Sequence, residues 1–165
     1  MSLSGILDTT LEITTLERKP AACLAMIWQK YFADIPQVNT VEIAYCQPWK
    51  RRLGLIRLSL DSERSFIGLN ALLQLSEVPE EVLVTTIAHE LTHYAHGFGS
   101  PLPRLFEHPH ANNVVQNELT QRGLGEVMQR CDDWIDNQWF SFYDREREGC
   151  WANLPDNGSR KPRKT

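Results

Sequence analysis

All five histidines of this 165-residue chain fall between His89 and His110, and the first two stand in the run His89-Glu90-Leu91-Thr92-His93. On a helix, residues four apart lie one above the other, so both imidazoles reach one metal ion while Glu90 points toward the same place. Neutral imidazole is a good zinc ligand. A catalytic zinc takes three protein ligands and keeps a water, whose pKa it lowers to about 7. Glu90 is then suited to accept that water's proton as general base. The His-Glu-x-x-His string would arise by chance only about 0.01 times in a chain of this composition, which is informative but leaves the decision to its surroundings.

A single catalytic zinc on His89 and His93 needs a third ligand. His96 shares their helical stripe but lies about 10.5 Å along the axis from His89, too far for one ion on a straight helix. It reads as a neighbour of the site or as an exposed side chain. Glu118, preceded by Asn117, is a candidate from a following helix, with an ordinary exposed glutamate as the simpler reading. His108 and His110 flank Pro109, and the connection from Gly97 is long enough to return either to the metal. His110 is preferred because it stands where the next helix begins and is held by secondary structure. For a second oxyanion donor the sequence offers Tyr143, His108 and Arg104, while Tyr94 falls on the core side of its helix.

Several elements must position these residues. Apolar spacing through Ala22, Met26, Ile27 and Tyr31, with Pro20 in a first turn, predicts a helix over 20–33. Short β-branched or alternating runs predict strands at 41–45, 53–60 and 65–69, the last two a hairpin across Asp61-Ser62-Glu63. Pro79 opens the motif helix, with Glu80 and Glu81 near its positive end. On it Leu83, Val84, Ile87, Leu91 and Tyr94 form an apolar arc. Val82, Thr86, His89, His93 and His96 form another, expected to face a cleft. Gly97 and Gly99 end the helix. A loop at 100–111 holding three prolines, a helix over 112–122 and a helical region over 126–143 complete the chain.

Composition sets the class. A 42% hydrophobic content over this length suits one globular domain at 1–154, with 155–165 a basic, disordered tail. Residues 1–10 hold no basic cluster followed by an apolar run, and no stretch approaches the roughly 20 apolar residues of a membrane span. The expectation is a cytoplasmic protein with no membrane partner. Cys23, Cys46, Cys131 and Cys150 contain no Cys-x-x-Cys pair, which argues against a zinc ribbon and fits reduced thiols. Net charge is −4, although Arg160, Lys161, Arg163 and Lys164 crowd the tail, so the body is more acidic still. That balance resists extensive DNA binding. Lys50, Arg51, Arg52, Arg57 and Arg64 form one local basic cluster, whose simplest reading is a solvated strand face.

The order of these features resembles the SprT-like family of zinc metallopeptidases, to which the Spartan catalytic domain belongs. The resemblance covers residues 40–123. It rests on Arg51-Arg52-Leu53-Gly54, on Ser65-Phe66-Ile67-Gly68-Leu69-Asn70 shortly before the motif helix, on the motif itself, and on a downstream histidine opening a helix. It implies a small α+β, zincin-like domain: an N-terminal helix, about three strands, the motif helix and further C-terminal helices. It also implies His110 as third ligand, although Ala111 and Val114 stand where the family often has glycine and an aromatic. The implied activity is zinc-dependent endopeptidase hydrolysis of a protein or peptide, with strand 65–69 lying along the cleft to pair with extended substrate. DNA-associated proteins enter as substrates only through the resemblance.

Two rivals remain at this level. One is a non-catalytic zinc-binding or interaction protein on a peptidase scaffold, which would not need Glu90. The other is a regulatory, repressor-cleaving zinc peptidase with Glu118 on the metal. Substrate identity, self-cleavage and oligomeric state have no sequence signal here.

Overall fold

The structure, a computed structural model, describes residues 3–152, so the tail expected at 155–165 lies outside the described residues. The architecture is α+β. In chain order it comprises α1 (Leu3–Thr15), α2 (Pro20–Tyr31), β1 (Thr40–Tyr45), β2 (Gly54–Leu58), β3 (Arg64–Leu69), α3 (Glu80–Ala95), α4 (Val114–Gln121) and α5 (Gly125–Ala152), with short 3-10 turns at Ala71–Gln74 and Ala111–Asn113.

The three strands form one mixed sheet in the order β1-β3-β2, β3 running parallel to β1 and antiparallel to β2. Ile43, Ile67 and Ile56 align across it, and two residues on, on the same face, Tyr45, Leu69 and Gly54 align. Side chains alternate between the faces of a strand. Ser65, Ile67 and Leu69 are fully buried on one face, toward the helical layer, while Glu42, Ala44 and Arg57 are exposed on the other.

This order corrects one expectation. β3 is the central strand, so its hydrogen-bonding groups on both sides are taken and it cannot also pair with a substrate. The strand with an edge free beside the motif helix is β2. An ideal Cβ on Gly54, its first residue, would lie 2.8 Å from Thr86 Cγ2 and 3.1 Å from Glu90 Oε1, both on α3.

Pro79 caps α3, and Glu80 and Glu81 occupy its first turn, where the missing proline N–H is no loss and acidic charge meets the positive helix end. Leu83, Val84, Ile87, Leu91 and Tyr94 are buried as the periodicity predicts. The second arc departs from expectation. Val82, Thr86, His93 and His96 are buried as well, and only His89 remains half-buried. The reason is enclosure: α3 contacts β2, β3, α1, α2, α4 and α5, so little of its circumference faces water.

Two side chains hold the approaches to this helix through long-range hydrogen bonds. Arg18, itself buried, donates to the carbonyls of Leu73 (2.9 Å), Leu75 (2.7 Å) and Val78, pinning the turn that leads into α3. Trp139 on α5 donates its indole N–H to the Lys50 carbonyl at 2.8 Å, tying the segment before β2 to the helical layer. No helix among the described residues is long and apolar enough to cross a membrane.

Candidate metal centre

His89 and His93 stand one turn apart on α3, and their Nε2 atoms approach to 3.0 Å. His110 joins them from the far end of the connection 96–109. Its ring stacks 5.5 Å from that of His89 and meets that of His93 edge-on at 4.7 Å. One ligand nitrogen from each of the three lies within 4.8 Å of the others, a group that can hold a metal ion. Nitrogens on a tetrahedral zinc at 2.0–2.1 Å stand about 3.3 Å apart, so the spacing suits a cation drawn among the three rings.

The electrostatics fit the same use. Burial, reinforced by the neighbouring His110, pushes the His89 pKa down to about 4. Burial and the neighbouring histidines push that of His93 down to about 3. Both rings are thus held in the neutral form that ligates metal. Exposure is graded across the site, with His93 buried, His89 half-buried and His110 exposed, so the His110 side is open to solvent. His93 departs from common zinc-site practice. A ligating imidazole ordinarily donates its other N–H to an acceptor, yet the buried His93 Nδ1 has no hydrogen-bond partner.

Glu90 is 4% exposed, and its Oε1 would lie 3.1 Å from a Cβ on Gly54. Burial pushes its carboxyl up to about 8, with the Arg52 charge working against that shift. A cation on the adjacent nitrogens favours the carboxylate form.

The other candidates separate. His108 is exposed beside Glu107 and outside the cluster. His96, for which exposure was one expectation, is 1% exposed, and its Nε2 lies 2.7 Å from Glu118 Oε1. Glu118 is therefore neither a free surface glutamate nor a member of the histidine cluster. Tyr94 is fully buried, and its hydroxyl donates to Asn39 Oδ1 at 2.7 Å. Tyr143 packs against Trp139. Arg104 lies over the Phe98 ring at 4.5 Å, and that ring meets His93 edge-on, so of the named oxyanion candidates Arg104 has a traced link to the site through packed rings. Of the basic cluster, Lys50, Arg51, Arg52 and Arg57 are exposed, and Arg64 pairs with Glu42 at 3.7 Å.

Sequence reasoning does not reach four contributing residues. Gly54 carries no role in the sequence beyond its place in Arg51-Arg52-Leu53-Gly54, yet a Cβ there would meet Thr86 and Glu90. Arg52 reads from the sequence as part of a solvated face, and its charge also acts on Glu90. Asn112 and Asn113 both take left-handed backbone, φ 57° and 55°. Their signal was available, because asparagine is among the few residues that tolerate that region.

No protein-family model, curated protein or solved structure matches this chain.

Proposed function

We propose that this chain is a zinc-dependent endopeptidase of the SprT-like, zincin-like type, holding one zinc ion on His89, His93 and His110. The observation that carries the reading is the convergence of three imidazole nitrogens within 4.8 Å, beside a buried glutamate that abuts an edge strand. When bound, zinc supplies Lewis acidity toward the scissile carbonyl and acidifies water.

The chain's own residues do the rest. β2 offers its free edge to an extended substrate backbone, which gives affinity with little side-chain selectivity. Glu90 Oε1, against the start of that strand, accepts the proton of the attacking water and returns it to the leaving amine. His89 and His93 hold their positions because helical spacing fixes them, and the exposed side at His110 admits the substrate. Arg104, over Phe98, is the candidate for a second contact to the developing oxyanion.

Glu90→Gln separates this reading from a non-catalytic zinc protein. The variant is expected to keep about one equivalent of zinc and to lose roughly 10²–10⁴-fold in hydrolysis of an unstructured polypeptide. Unchanged hydrolysis would sink the mechanism. DNA-associated substrates rest on the resemblance alone, and a rate indifferent to added single- and double-stranded DNA at low salt removes that version.

A further inference from the structure

The candidate centre is assembled from two pieces of chain. His89 and His93 set each other's position by standing one turn apart on α3, whereas His110 arrives from a separate segment, so something else must place it. The N-terminal side is a weak guide. That connection is tied down as far as residue 105: Gly97, at φ 80°, has the Leu102 and Pro103 carbonyls within 2.6 Å of where a Cβ would stand, and Leu105 N–H donates to the His96 carbonyl at 3.0 Å. Beyond it Phe106, Glu107 and His108 are exposed.

The C-terminal side is more definite. His110 caps the turn Ala111–Asn113, and Asn112 and Asn113 carry the chain through two successive left-handed residues directly into α4. With those dihedrals set, the place of α4 dictates the place of His110. Val115 and Leu119 bury the apolar face of α4, and such contacts are non-directional. Directional contacts come from Glu118. His96 Nε2 stands 2.7 Å from Glu118 Oε1, and because an ionised carboxylate only accepts, the imidazole donates. Arg122 Nε donates to Glu118 Oε2 at 3.3 Å. Arg122 in turn forks onto Asp34 at 2.6 and 3.1 Å, donates to the Tyr31 carbonyl at 2.8 Å and lies over Phe32. His96 closes α3 one turn beyond His93. Glu118 thus links the helix that carries two of the imidazoles to the helix that delivers the third.

We propose that Glu118 is a positioning residue for His110, anchored by His96 and Arg122, and that it sets the metal affinity of the centre without touching the metal. The proposal rests on the metal-centre reading given above, so its test must separate the two. The full-length apoprotein is titrated with Co²⁺, reading both the ligand-field absorption and the Kd by chelator competition, alongside apo thermal melts. Glu118→Ala is expected to weaken Co²⁺ binding on the order of 10-fold and to alter the absorption bands at saturation. Glu118→Gln keeps an oxygen that accepts from His96 and recovers most of the affinity. Glu118→Ala added to His110→Ala costs nothing further, because its effect passes through His110.

A merely structural Glu118 would lower the apo melting temperature while leaving Kd within twofold and the bands unmoved, or its loss would add in full to that of His110→Ala. Either result overturns the proposal. If His110→Ala alone leaves Co²⁺ affinity unchanged, the three-histidine centre falls and the positioning role falls with it. Should Glu118→Ala be unfolded at the assay temperature, Glu118→Asp, one methylene short of His96, carries the same expectations.

Discussion

Replacing Gly54 by alanine tests the contact between the edge strand and the proposed general base. Gly54 is not among the residues with positive φ, so alanine meets no conformational barrier and the effect is steric. Its methyl carbon would stand 2.8 Å from Thr86 Cγ2, 3.1 Å from Glu90 Oε1 and 3.3 Å from the Gly68 carbonyl oxygen. Carbon atoms pack best at roughly 3.5–4.0 Å, so β2 and α3 must separate by about 0.7 Å or more. Overpacking of this kind costs about 1–3 kcal/mol. A displacement near 1 Å at a catalytic group costs on the order of 10²-fold in rate. Gly54→Ala is therefore expected to lower urea stability by about 2 kcal/mol and peptidase turnover by about 10²-fold, with zinc content unchanged because no histidine is touched. Thr86→Ser supplies the control: it deletes the clashing methyl and keeps the hydroxyl that donates to the Val82 carbonyl at 2.7 Å. The double variant should regain most of the stability but little of the rate, since the contact with Glu90 persists. Full activity and stability in Gly54→Ala, or no stability rescue by Thr86→Ser, would refute the packing argument.

Arg18→Met leaves the carbonyls of Leu73, Leu75 and Val78 without their shared donor, and urea denaturation should show a loss on the order of 3 kcal/mol; a loss below about 1 kcal/mol contradicts the anchoring role. The Arg122 hydrogen bond holds the Asp34 carboxyl below its ordinary value of 3.8. The folded state therefore binds that proton less readily than the unfolded state, and the stabilisation is present above the ordinary carboxyl range and lost as pH falls through the folded pKa. The gap in urea midpoint between the parent and Asp34→Asn should be open at pH 6 and close below pH 3.8; a gap that stays constant across this range rules the pairing out.

Much of the scaffold was legible because its signals are local. Alternation and β-branching located all three strands, and the proline-to-glycine frame located the motif helix to within two residues of Glu80–Ala95. Sheet order was not legible. The pattern of 65–69 suits an edge or a central strand equally, and only the pairing of β3 with both neighbours settles that it is central. Helix α1 has no clear sequence signal, because Thr9, Thr10, Thr14 and Thr15 are β-branched residues of low helical propensity. The long run of α5 to Ala152 exceeded the expected end near residue 143, where polar residues take over and apolar periodicity fades. At the site, His89, Glu90 and His93 could be read from spacing. His96 and Glu118 could not, because a hydrogen bond between residues 22 positions apart leaves no periodic trace in either helix.

The closeness of the three imidazoles along the chain has a consequence for how a cation would be captured, if the cluster holds one as proposed. His93 and His110 are only 17 residues apart, and closing such a loop in a flexible chain costs about 2.5 kcal/mol from the logarithmic dependence on length. That is close to the cost of the 24-residue closure from Thr40 to Arg64 in the parallel β1–β3 pairing, so gathering the imidazoles asks no more of an unfolded chain than forming the sheet does. An unfolded ensemble carrying the same three imidazoles would compete for the same ion. Any cation affinity it retains makes the gain in folding stability on loading smaller than the native dissociation constant alone would give.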